Sequence, residues 1–142
     1  MTTLKYPFKS IELRWEDPRS WDGYTAEVAF GKGLEKETKF SVFAGDTPIG
    51  YFRFSPLPGC CGVVVSHDTF VYEKERKTVA SQDFRSSKTE LAKLFGYSCM
   101  IATTQMMNPA SLKNMIKSGY DIKIQFINSR TTNLLGLGVK LL

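Results

Sequence analysis

Twelve consecutive residues, Phe70-Val71-Tyr72-Glu73-Lys74-Glu75-Arg76-Lys77-Thr78-Val79-Ala80-Ser81, join the end of a β-rich run to the start of a helical pattern. The first N–H groups of a helix have no internal acceptor and the helix dipole is positive at that end, so such a junction can hold a phosphate or diphosphate. Arg76 and Lys77 add charge there, and the hydroxyls of Thr78 and Ser81 can donate. A capped helix with a solvated basic turn explains the same residues equally well. His67, the one histidine, lies four residues before Val71 and is the side chain whose ordinary pKa is nearest neutrality. The three cysteines, Cys60, Cys61 and Cys99, are odd in number with two adjacent, which is no disulfide framework and fits a reducing compartment. Cys60 and Cys61 beside His67 lack a second pair of ligands, so no metal site is expected. Cys99 lies in an apolar run without a neighbouring histidine and is not expected to be a nucleophile.

These groups must be positioned by a chain of 142 residues with 42% hydrophobic and 23% charged residues, which predicts one folded domain over 1–142. No apolar run reaches the length of a spanning helix and the first residues lack a signal-like core, so a cytoplasmic protein without membrane attachment is expected. Of 19 Lys/Arg and 14 Asp/Glu, seven and eight fall in residues 1–46, leaving twelve and six, a balance of +6, for 47–142. That basic surplus attracts anions: nucleic acid, an acidic protein or a phosphorylated cofactor.

Periodicity supplies the elements. Ser10–Arg14 reads as a short strand, and Ser20–Phe30 as an aromatic-rich, helix-compatible stretch interrupted by Gly31 and Gly33. Lys39–Ala44 and Ile49–Phe54 form a hairpin around Gly45-Asp46-Thr47-Pro48, and Gly62–Val71 is a β-branched central strand. Between Thr78 and Phe95, Ala80, Phe84, Leu91 and Phe95 share one helical face, with Arg85, Lys88 and Lys93 assigned to the solvent side. Tyr97–Thr103 is a strand; Asn108-Pro109 starts a helix with a buried stripe of Leu112, Met115 and Ile116, closed by Gly119. Tyr120–Ile127 and Leu134–Leu142 complete the sequence of strands.

The order strand, basic loop, helix, strand, and then an Asn108-x-x-Ser111 helix ending in Lys117-x-Gly119-Tyr120, resembles the Gcn5-related N-acetyltransferase (GNAT) superfamily. The likeness covers the elements from about Phe40 to Ile127 and is specific at those two short stretches. It implies an α/β fold: a twisted mixed sheet with flanking helices and a splayed parallel strand pair, Gly62–Val71 and Tyr97–Thr103, forming a cofactor groove. It also implies acetyl-CoA or another acyl-CoA as co-substrate. The pantetheine arm would lie beside Phe70 and Val71, the diphosphate on Arg76, Lys77, Thr78, Val79, Ala80 and Ser81, with Asn108 and Ser111 on the later helix.

Three positions depart from the family pattern. Val79 stands where the phosphate loop has glycine, and Ser81 where it has glycine or alanine. Met115 stands seven residues after Asn108, where many members carry the tyrosine that protonates the departing thiolate, and a thioether has no proton to give. Tyr120 and Tyr97 are the remaining phenols nearby. The implied reaction is direct acyl transfer to an amine-bearing acceptor, with His67 as general base and Glu73 the second candidate. Strand alternation puts Asp68 on the face opposite His67. The competing expectation is a non-catalytic protein of the same fold that binds nucleic acid or an acidic protein through its basic surface.

Overall fold

Alternating apolar residues build the first half of the sheet. In β3 (Thr38–Ala44) and β4 (Thr47–Pro56), Phe40, Val42, Phe52 and Phe54 are all buried on one face, whereas Lys39 is exposed and Tyr51 and Arg53 are half-buried. The structure is a computed structural model that describes residues 2–5, 8–16 and 33–142, without the side chains of residues 2 and 79–82. The stretch Ser20–Phe30 and Gly31 lie outside the described residues.

Two strands precede the hairpin, β1 (Thr2–Leu4) and β2 (Glu12–Trp15). After it come β5 (Val63–Val71), helix α1 (Val79–Leu94), β6 (Cys99–Gln105), helix α2 (Pro109–Lys117), β7 (Asp121–Ile127) and β8 (Leu134–Leu141). Eight described strands form one sheet in the order β1-β2-β3-β4-β5-β6-β8-β7. Every neighbouring pair is antiparallel except β5 and β6, which are parallel, as the helical crossover between them requires. The expected strands and helices are present with small boundary shifts, and β1 is an addition that its three residues gave no periodicity to reveal. No helix among the described residues is long and apolar enough to cross a membrane.

The core lies between α1 and the β2–β5 part of the sheet. Phe84, Leu91, Ala92 and Phe95 pack with Leu13, Trp15, Phe40, Val42, Phe52, Phe54 and Val64. The rings interlock, with centroid separations of 5.2 Å for Trp15–Phe40 and Phe40–Phe52 and 5.9 Å for Phe52–Phe84. Asp83 Oδ2 accepts from Lys9 N, Ser10 N and Ser10 Oγ, which ties the start of α1 to the segment entering β2.

Two helix expectations are corrected. Lys88 is half-buried, not on the solvent side: it lies four residues after Phe84 and three before Leu91, within the stripe that faces the sheet. Leu112, Met115 and Ile116 form no buried stripe, since Leu112 and Met115 are half-buried and Ile116 is 56% exposed. The short α2 lies over Gly138, whose added Cβ would meet Met115 Sδ, so the strand beneath offers little side chain to cover the helix.

The sheet is joined at its middle by a short ladder. β5 and β6 pair only at Val63–Val65 with Cys99–Ile101, whereas β6 stays paired with β8 from Cys99 to Gln105. On its other side β5 remains paired with β4 to Val71, with a bulge in which His67 and Asp68 together stand opposite Arg53. Gly50 secures that last stretch: a Cβ there would land on the Phe70 carbonyl and crowd Val71 Cα. Gly50→Ala should therefore lower stability by about 1–3 kcal/mol through overpacking of backbone on backbone. Thermal unfolding measures this, and an unchanged midpoint would show that β4 and β5 separate freely here.

Candidate functional site

The parting of β5 and β6 creates the site. Beyond Val65 and Ile101 the facing edges of the two strands have no ladder partners in one another, and α1 begins eight residues past the end of β5. Main-chain donors and acceptors along an unpaired strand edge seek partners, so this edge can bind an extended amide-containing chain.

The bulge decides which side chains look where. Ser66 is buried, and a side-chain hydrogen bond joins it to Tyr120; Thr69 Oγ1 accepts from Lys88 Nζ of α1 at 2.7 Å. Both therefore face the helices. His67 and Asp68 both turn the other way: Ser55 Oγ lies 2.6 Å from His67 Nε2, and Arg53 Nη1 donates to Asp68 Oδ2 at 3.2 Å. The expectation that Asp68 opposes His67 is corrected, because the two bulge residues share one place in the alternation. Phe70 and Val71 part as well. Val71 packs on the core while Phe70 stacks on Tyr51 at 5.8 Å and meets Tyr72 edge-on at 5.5 Å.

At the end of β5 the chain turns through a 3₁₀ segment, Glu73–Glu75, before α1. Arg76 folds back so that Nε donates to the Val71 carbonyl at 3.0 Å and the guanidinium lies 5.8 Å from the Phe70 ring centroid. Lys77 is exposed, and Thr78 Oγ1 donates to the Glu75 carbonyl at 2.9 Å. Phe70, Val71 and Arg76 are thus brought together at the strand end. Val79, Ala80 and Ser81 form the first turn of α1, with side chains outside the described residues. Glu73 is exposed in the turn, past the strand that carries His67.

Asn108 and Ser111 meet as a helix cap, Asn108 Oδ1 accepting from Ser111 N at 3.2 Å with Pro109 at the first helical position. Of the two tyrosines, Tyr97 is committed elsewhere: its buried hydroxyl accepts from Leu34 N at 2.8 Å. Tyr120 follows α2 and reaches across to Ser66. Burial pushes its phenol up to about 12, a nearby Cys99 adds to this, and the Ser66 hydrogen bond acts against it.

Two lysines that the sequence did not single out line the helix face. Lys88 Nζ, besides its bond to Thr69, lies 5.9 Å from the Phe52 ring centroid; Lys140 Nζ donates to Thr89 Oγ1 at 2.9 Å and lies 5.8 Å from the Tyr120 ring. Burial, and then the charge of Lys140, bring Lys88 down to about 8; burial, and then Lys93, lower Lys140. The signal that finds Lys88 is a lone cation at the fourth position of an otherwise apolar helical stripe. Lys140 has no comparable local signal, since its neighbours come from distant parts of the chain. The buried Thr104 hydroxyl, on β6 beyond the ladder, has no hydrogen-bond partner among the described residues.

No family model matches this sequence, and no curated protein matches it. Solved structures do match in three dimensions. One is a probable acetyltransferase of the GNAT family from Chromobacterium violaceum, 13% identical with a TM-score of 0.69 over 94% of this chain and 83% of that one. Another is a GNAT family acetyltransferase from Elizabethkingia anophelis with acetyl-CoA bound, 14% identical with a TM-score of 0.65 over 94% and 99% of the two chains. A Bacillus subtilis acetyltransferase in complex with CoA is 15% identical, with a TM-score of 0.64 over 92% and 97%. With its parallel pair parting in mid-sheet between helices α1 and α2, the chain has the GNAT fold.

Proposed function

We propose that this protein is an acyl-CoA-dependent N-acyltransferase that moves an acyl group, acetyl in the simplest case, directly from coenzyme A to an amine. The observation that carries this reading is the unpaired β5 edge, followed eight residues after its end by the start of α1. The edge supplies main-chain partners for a pantetheine arm, and the helix start with Arg76 and Lys77 supplies positive potential for a diphosphate. Val71 would line the arm with Phe70 at its back, Thr78, Val79, Ala80 and Ser81 would cradle the diphosphate, and Asn108 and Ser111 would open the opposite wall. The acetyl-CoA and CoA bound in two structures of the same fold support the use of an acyl-CoA.

The bulge gives the two reactants opposite approaches. Coenzyme enters from the face of Ser66 and Thr69, and the amine from the face of His67, Asp68 and Tyr51. In the tautomer whose Nε2–H donates to Ser55 Oγ, His67 Nδ1 is the ring nitrogen left to take the amine proton. Glu73 is the second candidate, farther along the chain. Backbone N–H groups at the parted edge polarise the thioester carbonyl, and the fixed approach supplies the orientation on which direct transfer depends. Tyr120 stands on the coenzyme side but is a poor proton donor there. Passing a proton from a phenol at about 12 to the conjugate base of an alkyl thiol near about 8.5 is uphill by roughly 5 kcal/mol. Acyl-CoA chemistry and free cysteines belong in a reducing compartment, and the cytoplasm is the one proposed.

Calorimetry with acetyl-CoA tests the coenzyme site. Replacing both Arg76 and Lys77 by Glu should weaken binding about tenfold or more, with the larger loss at low salt, where the reversed charge is least screened. Undiminished affinity in the folded double variant would move the anion site away from α1.

The base assignment has its own test. His67→Gln should keep coenzyme affinity and lower the rate of amine acylation about 100-fold, the scale expected for a general base. A rate within twofold of the parent, with no ionisation between about pH 6 and 8 in its profile, would remove His67 from the chemistry.

A further inference from the structure

Lys88 and Lys140 stand on the coenzyme face of the opening, one from α1 and one from β8, and no carboxylate forms an ion pair with either among the described residues. Glu90, the nearest acid along α1, pairs with Lys93. Among the described residues their hydrogen bonds go to the hydroxyls of Thr69 and Thr89, with the rings of Phe52 and Tyr120 alongside. Ammonium groups withdrawn from water are costly unless a negative charge answers them. Lys88, desolvated and repelled by the partly exposed Lys140, marks a place that an arriving negative charge would stabilise. Thr69 fixes that place on the length of β5 that β6 has left, where the acyltransferase reading lays the pantetheine arm. The negative charge that arises there during transfer is the sulfur of the departing coenzyme.

Resting on that reading, we propose that Lys88, with Lys140 behind it, donates the proton that the leaving sulfur takes up. When the carbon–sulfur bond of the tetrahedral adduct breaks, its electron pair goes to sulfur and the carbonyl re-forms as the amide. One Nζ proton of Lys88 moves to that sulfur, which leaves a neutral amine and a thiol. Water later returns a proton to Nζ. The neutral product state also relieves the repulsion between the two lysines.

The acidity of the group fits the task. Burial and Lys140 hold Lys88 at about 8, close to the about 8.5 of an alkyl thiol, so the proton can pass either way without a steep climb. The charged group that acts on it is Lys140 of β8, on which Lys93 of α1 acts in turn, and both effects lower the ammonium they reach. The protonated donor is present below about 8 and lost above it, so the transfer rate should fall as pH rises through that value.

Free coenzyme A bound to the whole protein is the probe, with the ultraviolet absorbance of its thiolate followed against pH. In the parent protein the bound thiol should titrate about one unit below free coenzyme A, because an adjacent ammonium favours the thiolate. Lys88→Met, of similar shape and without charge, should abolish that shift while coenzyme still binds. Lys88→Arg should keep the shift but lower the acylation rate about tenfold or more, with KM for acetyl-CoA little changed, because guanidinium supplies charge and withholds its proton. The falling limb of the pH–rate profile near 8 should vanish in the Arg variant. An identical thiol titration in the parent and Lys88→Met would overturn the role of Lys88 and leave the acyltransferase reading standing. Failure of the parent to bind coenzyme A would overturn both.

Discussion

The ladder between β5 and β6 carries three residue pairs, while β5 is held to β4 as far as Val71 and β6 is held to β8 along all seven of its residues. Each strand therefore follows its outer neighbour once the shared ladder stops. The bulge at His67 and Asp68 comes one residue after the last shared pair and bends β5 with its β4 partner, because an extra residue on one strand increases its local twist. One inserted residue thus does two things. It ends the parallel pairing, and it exchanges which side chains face the helices, so that Ser66 and Thr69 look into the groove while His67 and Asp68 look out of the opposite face.

The two parts of the sheet on either side of this opening are held by different means. The β2–β5 part is built on interlocked rings and α1, and nearly all the buried apolar side chains come from residues before Cys99. In the β6–β8 part the buried positions after Met100 are Thr104, Gly136 and Gly138, and Ile124, Phe126 and Ile127 of the edge strand are exposed. Hydrogen-bonded ladders and a few bridges hold it, among them Tyr120 to Ser66 and Lys140 to Thr89. A rigid wall facing a lightly packed one would suit the long flexible arm of the proposed coenzyme, since local openings are cheapest where few apolar contacts are lost.

Much of this architecture can be read from the chain because it rests on local pattern. Asn108-Pro109 starts α2 through a side-chain cap that needs only neighbouring residues, and the apolar spacing of Phe84, Leu91 and Phe95 is enough to orient α1. The resemblance at Asn108–Tyr120 led to the right fold despite identities of 13–15% to structures of that fold. What remained hidden depends on partners distant in sequence. The bulge is a mismatch between β4 and β5 that neither strand displays alone, so strict alternation sent Asp68 to the wrong face. The helical stripe marks Lys88 as inward-facing, but its hydrogen bond to Thr69, nineteen residues earlier, is visible only in the fold. The short cover over α2 escaped for the same reason, since Gly138 under Met115 is joined to it only by the fold.

The distribution of cations across the sheet follows from the same division of faces. On the His67 side Arg14 pairs with Glu12, Arg53 pairs with Asp68 and lies 3.9 Å from Glu37, and Lys39 Nζ lies 4.5 Å from the Tyr51 ring centroid. On the helix side Lys88 and Lys140 meet hydroxyls instead of carboxylates, and Lys77 stands exposed at the mouth. The basic surplus of residues 47–142 is therefore not a uniform coat. On the proposed reading it would put positive potential along the groove where a polyanionic coenzyme enters, and leave more nearly balanced charge on the face where an amine would approach. A uniformly basic surface would draw in the first reactant and repel the second. Sorting the charges by face removes that conflict, and the sorting is achieved by the strand whose bulge separates the two approaches.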